Sequence, residues 1–283
     1  MSQTAIAPEA LDDKYRSLET ILTGMDSVLI AFSGGVDSTL LLKVAADLLG
    51  DRVLAVTALS ETTPGHEKTA AVQFADAIGA RHLCIRTNEL EDPAFTRNPP
   101  DKCYICKKRR FGGLVTLARE KGIQWVADGE NMDDAADYRP GSRAARELGV
   151  RSPLREAGLS KAEVRALSKR LGLATWDKPS YACLASRIPY HSPITAEKLR
   201  QVDAAEEGLR RMAPALQVRV RHEGDTARIE VEADHIATFL APKPRREAVR
   251  VLKSLGFKFV ALDLEGYRMG SLNQVLQEAE KGE

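Results

Sequence analysis

The hexapeptide Ser33-Gly34-Gly35-Val36-Asp37-Ser38 is the feature that most constrains what this chain can fold into. It stands between a short apolar strand pattern, Val28-Leu29-Ile30-Ala31, and a helical pattern, TLLLKVAADLL, that Gly50 closes. A strand, a tight glycine turn and a helix open a βαβ unit. Glycines let the backbone approach a ligand closely, and the free N–H groups of a first helical turn, together with the helix dipole, form an anion site. Ser33 and Ser38 add hydroxyl donors. Asp37 repels phosphate, so its natural task beside one is to hold Mg²⁺, a cation that takes carboxylate and phosphate oxygens. The lysine of a Gly-x4-Gly-Lys-Ser loop is absent. Two glycines alone also make an ordinary βα turn, but the full hexapeptide in this context favours a nucleotide phosphate.

The pattern then repeats, with strands predicted at Val53 to Ala58, His82 to Ile85 and Trp125 to Asp128 and helices at His66 to Ile78, Lys107 to Lys121 and Ser160 to Leu171. Such alternation predicts an α/β domain with a parallel sheet covered on both faces, Rossmann-like in architecture. Ser160 and Glu163 have the spacing of a capping box. The Pro- and Ser-rich stretch KPSYACLASRIPYHSP reads as a functional loop joining two domains, residues 1–178 and 179–283. Beyond it the predicted elements, a helix at Thr195 to Met212, strands near Gln217, Ala227 and Lys258, and a helix at Arg245 to Leu255, describe a smaller α+β domain.

Charge and cysteine usage exclude several classes. With 41 Lys and Arg against 40 Asp and Glu in 283 residues, the chain has no global field to drive non-specific nucleic-acid binding, and no nucleic-acid partner is expected. Four cysteines cannot build a disulfide framework. The N-terminal residues lack the basic start and unbroken apolar stretch of a secretory signal, and no apolar run spans a bilayer, so a cytoplasmic protein without a membrane segment is expected.

In that reducing setting the thiols are core residues, metal ligands or reactive groups. Cys84 alternates with apolar neighbours and is expected in the core. Cys103 and Cys106 form a Cys-x-x-Cys at a helix start, with Asp101 as a candidate N-cap, and the helix N-terminus and the nearby cations Lys107, Lys108, Arg109 and Arg110 favour thiolate. One pair cannot fill a zinc or iron–sulfur site, and Cys183 on the interdomain loop is the nearest third candidate; a structural zinc or a redox pair are competing readings of the motif. In the C-terminal part, Gln217 to His222 alternates so that Val218 and Val220 share one face and Arg219 and Arg221 the other. A turn at Gly224-Asp225 pairs Arg219 with Glu230 and Arg221 with Arg228, and two opposed arginines repel unless an anion sits between them. A phosphate is one such anion; a solvated face with an Arg219–Glu230 pair is the plain alternative.

The loop AFSGGVDS resembles that of the pyrophosphatase-loop (PP-loop) ATP-pyrophosphatases, whose adenine nucleotide alpha hydrolase-like fold cleaves ATP between the α- and β-phosphates. The segments NPPDKCYICKK, ADGENMDDAADYRPG, LGLATWDKPSYACLASRIPY, VRVRHEGDTARIEV and LDLEGYRMGSLN extend the resemblance, over nearly the whole chain, to the LarE family of pyridinium-dicarboxylate mononucleotide sulfurtransferases. That resemblance implies adenylation of two pyridinium carboxylates and their conversion to thiocarboxylates for the nickel-pincer cofactor of lactate racemase. Ser33, Gly34, Gly35, Asp37 and Ser38 would hold ATP and Mg²⁺, with Asp128 and Gly129 near the nucleotide. Cys183, Asp37, Ser186 and Arg187 would serve catalysis, and Arg187, Glu206, Arg219, Arg221, Glu230 and Arg268 would line the sulfur-transfer pocket.

The family has two sulfur strategies: a sacrificial cysteine that ends as dehydroalanine, and a three-cysteine [4Fe-4S] cluster with one open iron. Counting back from Ser186-Arg187, Ala182 stands where the sacrificial thiol falls and Cys183 one place later, so Cys103, Cys106 and Cys183 fit the cluster type better, with sacrifice of Cys183 as the alternative. A sulfide source or sulfur donor, a downstream nickel-inserting enzyme and a homo-oligomer, the hexamer in particular, are implied partners. Two other readings stay open: a PP-loop ligase such as a tRNA thiolase or NAD synthetase-like amidase, and a nucleotide-binding regulator without catalysis.

Overall fold

The computed structural model describes residues 8–136, 140–179, 182–214, 216–268 and 270–276. Its contacts divide the chain into two compact units, one of Met1–Ser60, His66–Thr87 and Cys103–Tyr181, the other of Glu61–Gly65, Asn88–Lys102 and Ala182–Glu283. In chain order the first part holds α1 (Pro8–Thr23), β1 (Val28–Ala31), α2 (Val36–Leu49), β2 (Val53–Leu59), α3 (Gly65–Ile78), β3 (His82–Arg86) and α4 (Pro93–Thr96). There follow α5 (Lys102–Glu120), β4 (Trp125–Ala127), α6 (Pro140–Glu147), α7 (Pro153–Glu156) and α8 (Lys161–Arg170). The remainder supplies α9 (Ala196–Met212), β5 (Arg219–Glu223), β6 (Thr226–Glu230), α10 (Ile236–Leu240), α11 (Pro242–Ser254) and β7 (Phe259–Leu262).

In the first unit β1 to β4 form a parallel sheet of order β3-β2-β1-β4. Both faces of β1, β2 and β4 are packed, which is why these strands read as unbroken apolar runs. Val28, Ile30, Val53, Ala55 and Ala127 enter one core with α1 and α2, while Leu29, Leu54, Val56 and Val126 enter another with Phe111, Leu114 and Ala118 of α5. The strand order runs outward from β1 to β3 and then returns to the other side of β1. Strand order therefore reverses between β1 and β4, and the crevice at the carboxyl ends of two such strands is where open α/β sheets bind ligands.

The expectation of a buried Cys84 is corrected: its side chain is exposed. Leu83 and Ile85 pack partly buried against the core as the alternation expects, but β3 is the edge strand and Cys84, on its other face, stays exposed. α5 begins at Lys102 rather than near Lys107, which puts Cys103 and Cys106 at its start, as the Cys-x-x-Cys reading with Asp101 before the helix expects.

In the second unit β5, β6 and β7 form a sheet in which β5 and β6 are antiparallel and β7 adds in parallel to β6. The hairpin register is the one expected, with Arg219 opposite Glu230, Val220 opposite Ile229 and Arg221 opposite Arg228. Gly224 supplies the positive φ of 63° that the turn needs. Val218, Val220, Ile229 and Val231 pack against Ala205 and Leu209 of α9 and Ala248 and Leu252 of α11. No helix among the described residues is long and apolar enough to cross a membrane.

Ser160 caps α8, accepting from the Glu163 backbone N–H while the Glu163 carboxylate accepts from the Ser160 N–H. Ser160→Ala is expected to lower the unfolding free energy by about 1 kcal/mol, read from the denaturant midpoint; an unchanged midpoint contradicts the capping role.

Candidate functional site

The first unit places the loop after β1 and the loop after β4 against each other. Gly34 has φ of 69°, and a Cβ there would lie 2.9 Å from Ala71 Cα on α3. Gly35 is the N-cap of α2, with no side-chain cap on the helix N–H groups behind it. Thr39 N–H donates to the Gly35 carbonyl, which leaves the N–H groups before it facing out of the helix end. Ser33 Oγ and Ser38 Oγ lie 3.1 Å apart, and the Gly35 N–H reaches Ser33 Oγ at 3.3 Å. The two serines therefore pre-form a ring of donors around the helix start.

The second loop closes on this ring through Gly129, where a Cβ would stand 2.9 Å from Ser38 N. Asp128 is pinned beside it: its N–H donates to the Arg151 carbonyl at 2.9 Å, and its Oδ1 accepts from Ser152 Oγ at 2.8 Å and Glu130 N at 3.2 Å. Burial pushes the Asp128 carboxyl above its ordinary value, against the pull of Lys107 and these hydrogen bonds. Asp37 lies at the start of α2, its Oδ1 accepting from Asn131 Nδ2 at 3.0 Å and its Oδ2 paired with Lys161. Lys178 donates to the Gly34 carbonyl at 3.0 Å and pairs with Glu67 at 2.9 Å. All expected nucleotide residues thus meet at one end of the sheet. Asn131, Lys161 and Lys178, with Glu67 behind Lys178, were missed, because the contacts of the first three with the loop span 94 to 144 positions along the chain and no local pattern announces them.

In the second unit the polar face of the hairpin is buried rather than solvated. Arg187 and Glu206 are each 1% exposed and joined by two hydrogen bonds, Nε to Oε1 at 2.7 Å and Nη2 to Oε2 at 3.0 Å. Burial works against the Arg187 charge, but the Glu206 carboxylate overrides it and the guanidinium pKa is raised. Arg187 Nη1 also donates to the Ala182 and Cys183 carbonyls and to Ser186 Oγ. Arg187 is thereby a brace that shapes the turn carrying Cys183, whose thiol is exposed.

Arg221 pairs with Glu230 through Nε at 2.9 Å and Nη2 at 2.6 Å, and donates to the Ser186 carbonyl at 2.7 Å. Arg228 reaches Glu230 at 2.9 Å, Glu223 at 2.8 Å and Asp263. The anion between the two opposed arginines is therefore the Glu230 carboxylate, which corrects the idea that their register calls for a bound phosphate. Arg219, 1% exposed, lies over the Tyr267 ring at 5.3 Å. Arg268 stands apart at the surface, bonded to Glu265.

Cys103 and Cys106 belong to the first unit and Cys183 to the second. Among the described residues no group of three or more His, Cys, Asp or Glu side chains could hold a metal ion. Neither unit by itself contains all three of the thiols expected as ligands. Asp37 is a single carboxylate beside an anion site, which suits a Mg²⁺ that arrives with phosphate oxygens. Asp137, Tyr138 and Arg139 of the DYRPG stretch, and Ser180 and Tyr181 before Cys183, lie outside the described residues.

A parallel sheet with an uncapped glycine turn at its switch point defines a nucleotide-binding domain of the PP-loop type, and a model of the NAD synthase family matches residues 15–98. The pyridinium-3,5-bisthiocarboxylic acid mononucleotide synthase of Lactiplantibacillus plantarum is 41% identical over 95% of this chain and 97% of its own length. An uncharacterized protein of Synechocystis is 47% identical over 94% of this chain and 99% of its own. A tRNA-cytidine(32) 2-sulfurtransferase of Deinococcus radiodurans is 33% identical, over 44% of this chain and 42% of its own. The chain belongs to the family of the Lactiplantibacillus synthase, the LarE family.

Two outcomes follow for the titrating and buried groups. Because the folded pKa of Asp128 is raised, its contribution to stability is lost as pH rises from the ordinary carboxylate value of about 4. Asp128→Asn, which does not titrate, is expected to gain stability relative to the unaltered protein as pH rises through that window; a pH-independent difference in urea midpoints contradicts the burial effect. Glu206→Gln strands the buried Arg187 charge and is expected to cost roughly 3–5 kcal/mol, whereas Arg187→Met with Glu206→Leu recovers most of that loss in the same unfolding measurement.

Proposed function

We propose that this protein is an ATP-dependent, AMP-forming sulfurtransferase that converts the two carboxylates of pyridinium-3,5-biscarboxylic acid mononucleotide to thiocarboxylates, for a nickel-pincer cofactor of lactate racemase. The observation that carries the reading is the uncapped start of α2 at the switch point, in a chain matched almost end to end by a synthase of that product. Ser33, Gly34, Gly35 and Ser38 bind the phosphates through backbone N–H and hydroxyl donors, a fixed array that also stabilises the charge developing on the leaving pyrophosphate. Mg²⁺, held by Asp37 and phosphate oxygens, would supply further charge neutralisation there. A substrate carboxylate oxygen attacks the α-phosphorus, pyrophosphate departs, and an acyl adenylate results. Asp128 and Gly129 form the opposing wall of this site.

Cys183 is the thiol of the second site. In the sacrificial mode its thiolate attacks the activated carbonyl carbon, the bond to the AMP oxygen breaks, and a thioester forms. Loss of the Cys183 Cα proton and cleavage of its Cβ–S bond then leave a thiocarboxylate and dehydroalanine, with no oxidant required. In the alternative mode Cys183 joins Cys103 and Cys106 as a [4Fe-4S] ligand, and an external sulfide source keeps the protein intact. Ser186 and Arg187 shape the Cys183 turn in either mode, and Arg219, Arg221, Glu230 and Arg268 are the substrate-binding candidates. The reading also includes cytoplasmic location, a homo-oligomer and delivery to a nickel-inserting enzyme.

The test is incubation with ATP, Mg²⁺ and the pyridinium dicarboxylate mononucleotide, followed by pyrophosphate assay, product mass and intact protein mass, with iron and sulfide analysis of anaerobically prepared protein. Pyrophosphate release with replacement of oxygen by sulfur in the product supports the proposal. Loss of the elements of H₂S from Cys183 identifies the sacrificial mode; bound iron and sulfide with unchanged mass identify the cluster. Release dependent on tRNA points instead to a thiolase, and absence of release with either acceptor to a regulator.

A further inference from the structure

The SGGVDS loop lacks the lysine of other phosphate loops, yet a lysine stands at its edge on the one carboxylate that a metal would use. Lys161 is the first residue of α8, and its ammonium pairs with Asp37 Oδ2. Its backbone is fixed, since Lys161 N–H donates to Asp133 Oδ2 at 2.8 Å and Ser160 caps the helix immediately before it. Its side chain remains 33% exposed, against 20% for Asp37. Each Asp37 oxygen already has a partner, Asn131 on one and Lys161 on the other, so a metal ion must share an oxygen with that partner or displace it.

The two partners differ in how readily they can leave. Asn131 is 1% exposed and its amide is locked, with Oδ1 accepting from Asp133 N at 2.9 Å and its own N–H donating to Asp134 at 3.1 Å. Lys161 holds Asp37 through a flexible four-carbon stem and a point charge, which is free to turn about its anchored Cα. The other nearby lysine does not compete for this role, because Lys178 is 15% exposed and engaged by both Gly34 and Glu67.

Resting on the nucleotide reading above, we propose that Lys161 is an exchangeable counter-ion: without nucleotide it occupies the Asp37 oxygen that the metal needs, and with nucleotide it transfers to the phosphates and frees that oxygen. Ammonium and divalent metal repel one another on a single carboxylate, whereas the anionic phosphates attract the ammonium and the metal alike. Metal and nucleotide binding become mutually favourable, with the coupling carried by one side chain. The adjacent helix end then gains the positive point charge its loop sequence does not contain.

The experiment measures three affinities on the full chain, Mn²⁺ alone by electron paramagnetic resonance, ATP with Mg²⁺ by calorimetry, and AMP by calorimetry, for the unaltered protein, Lys161→Met and Lys161→Arg. Lys161→Met is expected to weaken ATP about tenfold or more, the loss of a charge-assisted contact, to tighten Mn²⁺ alone severalfold, and to leave AMP within about twofold. Lys161→Arg is expected to recover most of the ATP affinity. Unchanged ATP affinity in Lys161→Met overturns the inference, as does a parallel weakening of Mn²⁺, ATP and AMP, which is what a merely structural lysine would produce. If the unaltered protein binds no ATP, the nucleotide reading itself falls and this inference with it; binding by the unaltered protein with no change in the variant overturns the inference alone.

Discussion

Gly34 and Gly129 let two loop backbones pack at distances a side chain would forbid: an added Cβ would lie 2.9 Å from Ala71 Cα on α3 at Gly34, and 2.9 Å from Ser38 N in the first turn of α2 at Gly129. Everything proposed for the first unit depends on that approach. It keeps the N-terminus of α2 unobstructed, brings Ser33 and Ser38 into contact, and seats Asp128 behind Gly129. The strand order makes it possible, because β1 and β4 are neighbours whose following loops leave the same edge of the sheet on either side of the reversal. A substituent at Gly34 would push its loop off α3, one at Gly129 would separate the two loops, and in either case the donors around the helix end would shift.

The second unit is organised by charge rather than by close approach. Arg187, Arg221 and Arg228 are held by Glu206, Glu230, Glu223 and Asp263, so the arginines are largely neutralised from within. A buried network of this kind is costly when incomplete and rigid when complete. Its rigidity fixes the turn at Leu184–Arg187 and hence the position of the exposed Cys183. An anion bound here, as proposed, would meet ordered guanidinium groups already shared with carboxylates, which favours discrimination by geometry over attraction by net charge.

The strands and the hairpin register were legible in the sequence because period-two alternation and glycine turns are local signals. The polar side of the hairpin was not, since Glu230 sits opposite Arg219 in register yet turns its carboxylate to Arg221 and Arg228. Cys84 shows a different limit: the alternation that buries Leu83 and Ile85 is the same whether or not the far face of the strand is covered, and only the position of β3 at the sheet edge decides it. Among the candidate site residues the glycine loop declared itself, whereas Asn131 and Lys161 became visible only when β4 and α8 were folded against α2. The capping box at Ser160 did announce that Lys161 opens a helix, but not that this helix end faces Asp37.

The central claim is that the start of α2 activates a carboxylate by adenylation. It is tested most directly by supplying pyridinium dicarboxylate mononucleotide labelled with ¹⁸O in its carboxylates and weighing the nucleotide product. Transfer of one ¹⁸O to AMP for each carboxylate converted is the predicted result, because the oxygen that attacks the α-phosphorus leaves with AMP when sulfur displaces it. Unlabelled AMP, or ADP as the nucleotide product, would contradict the account.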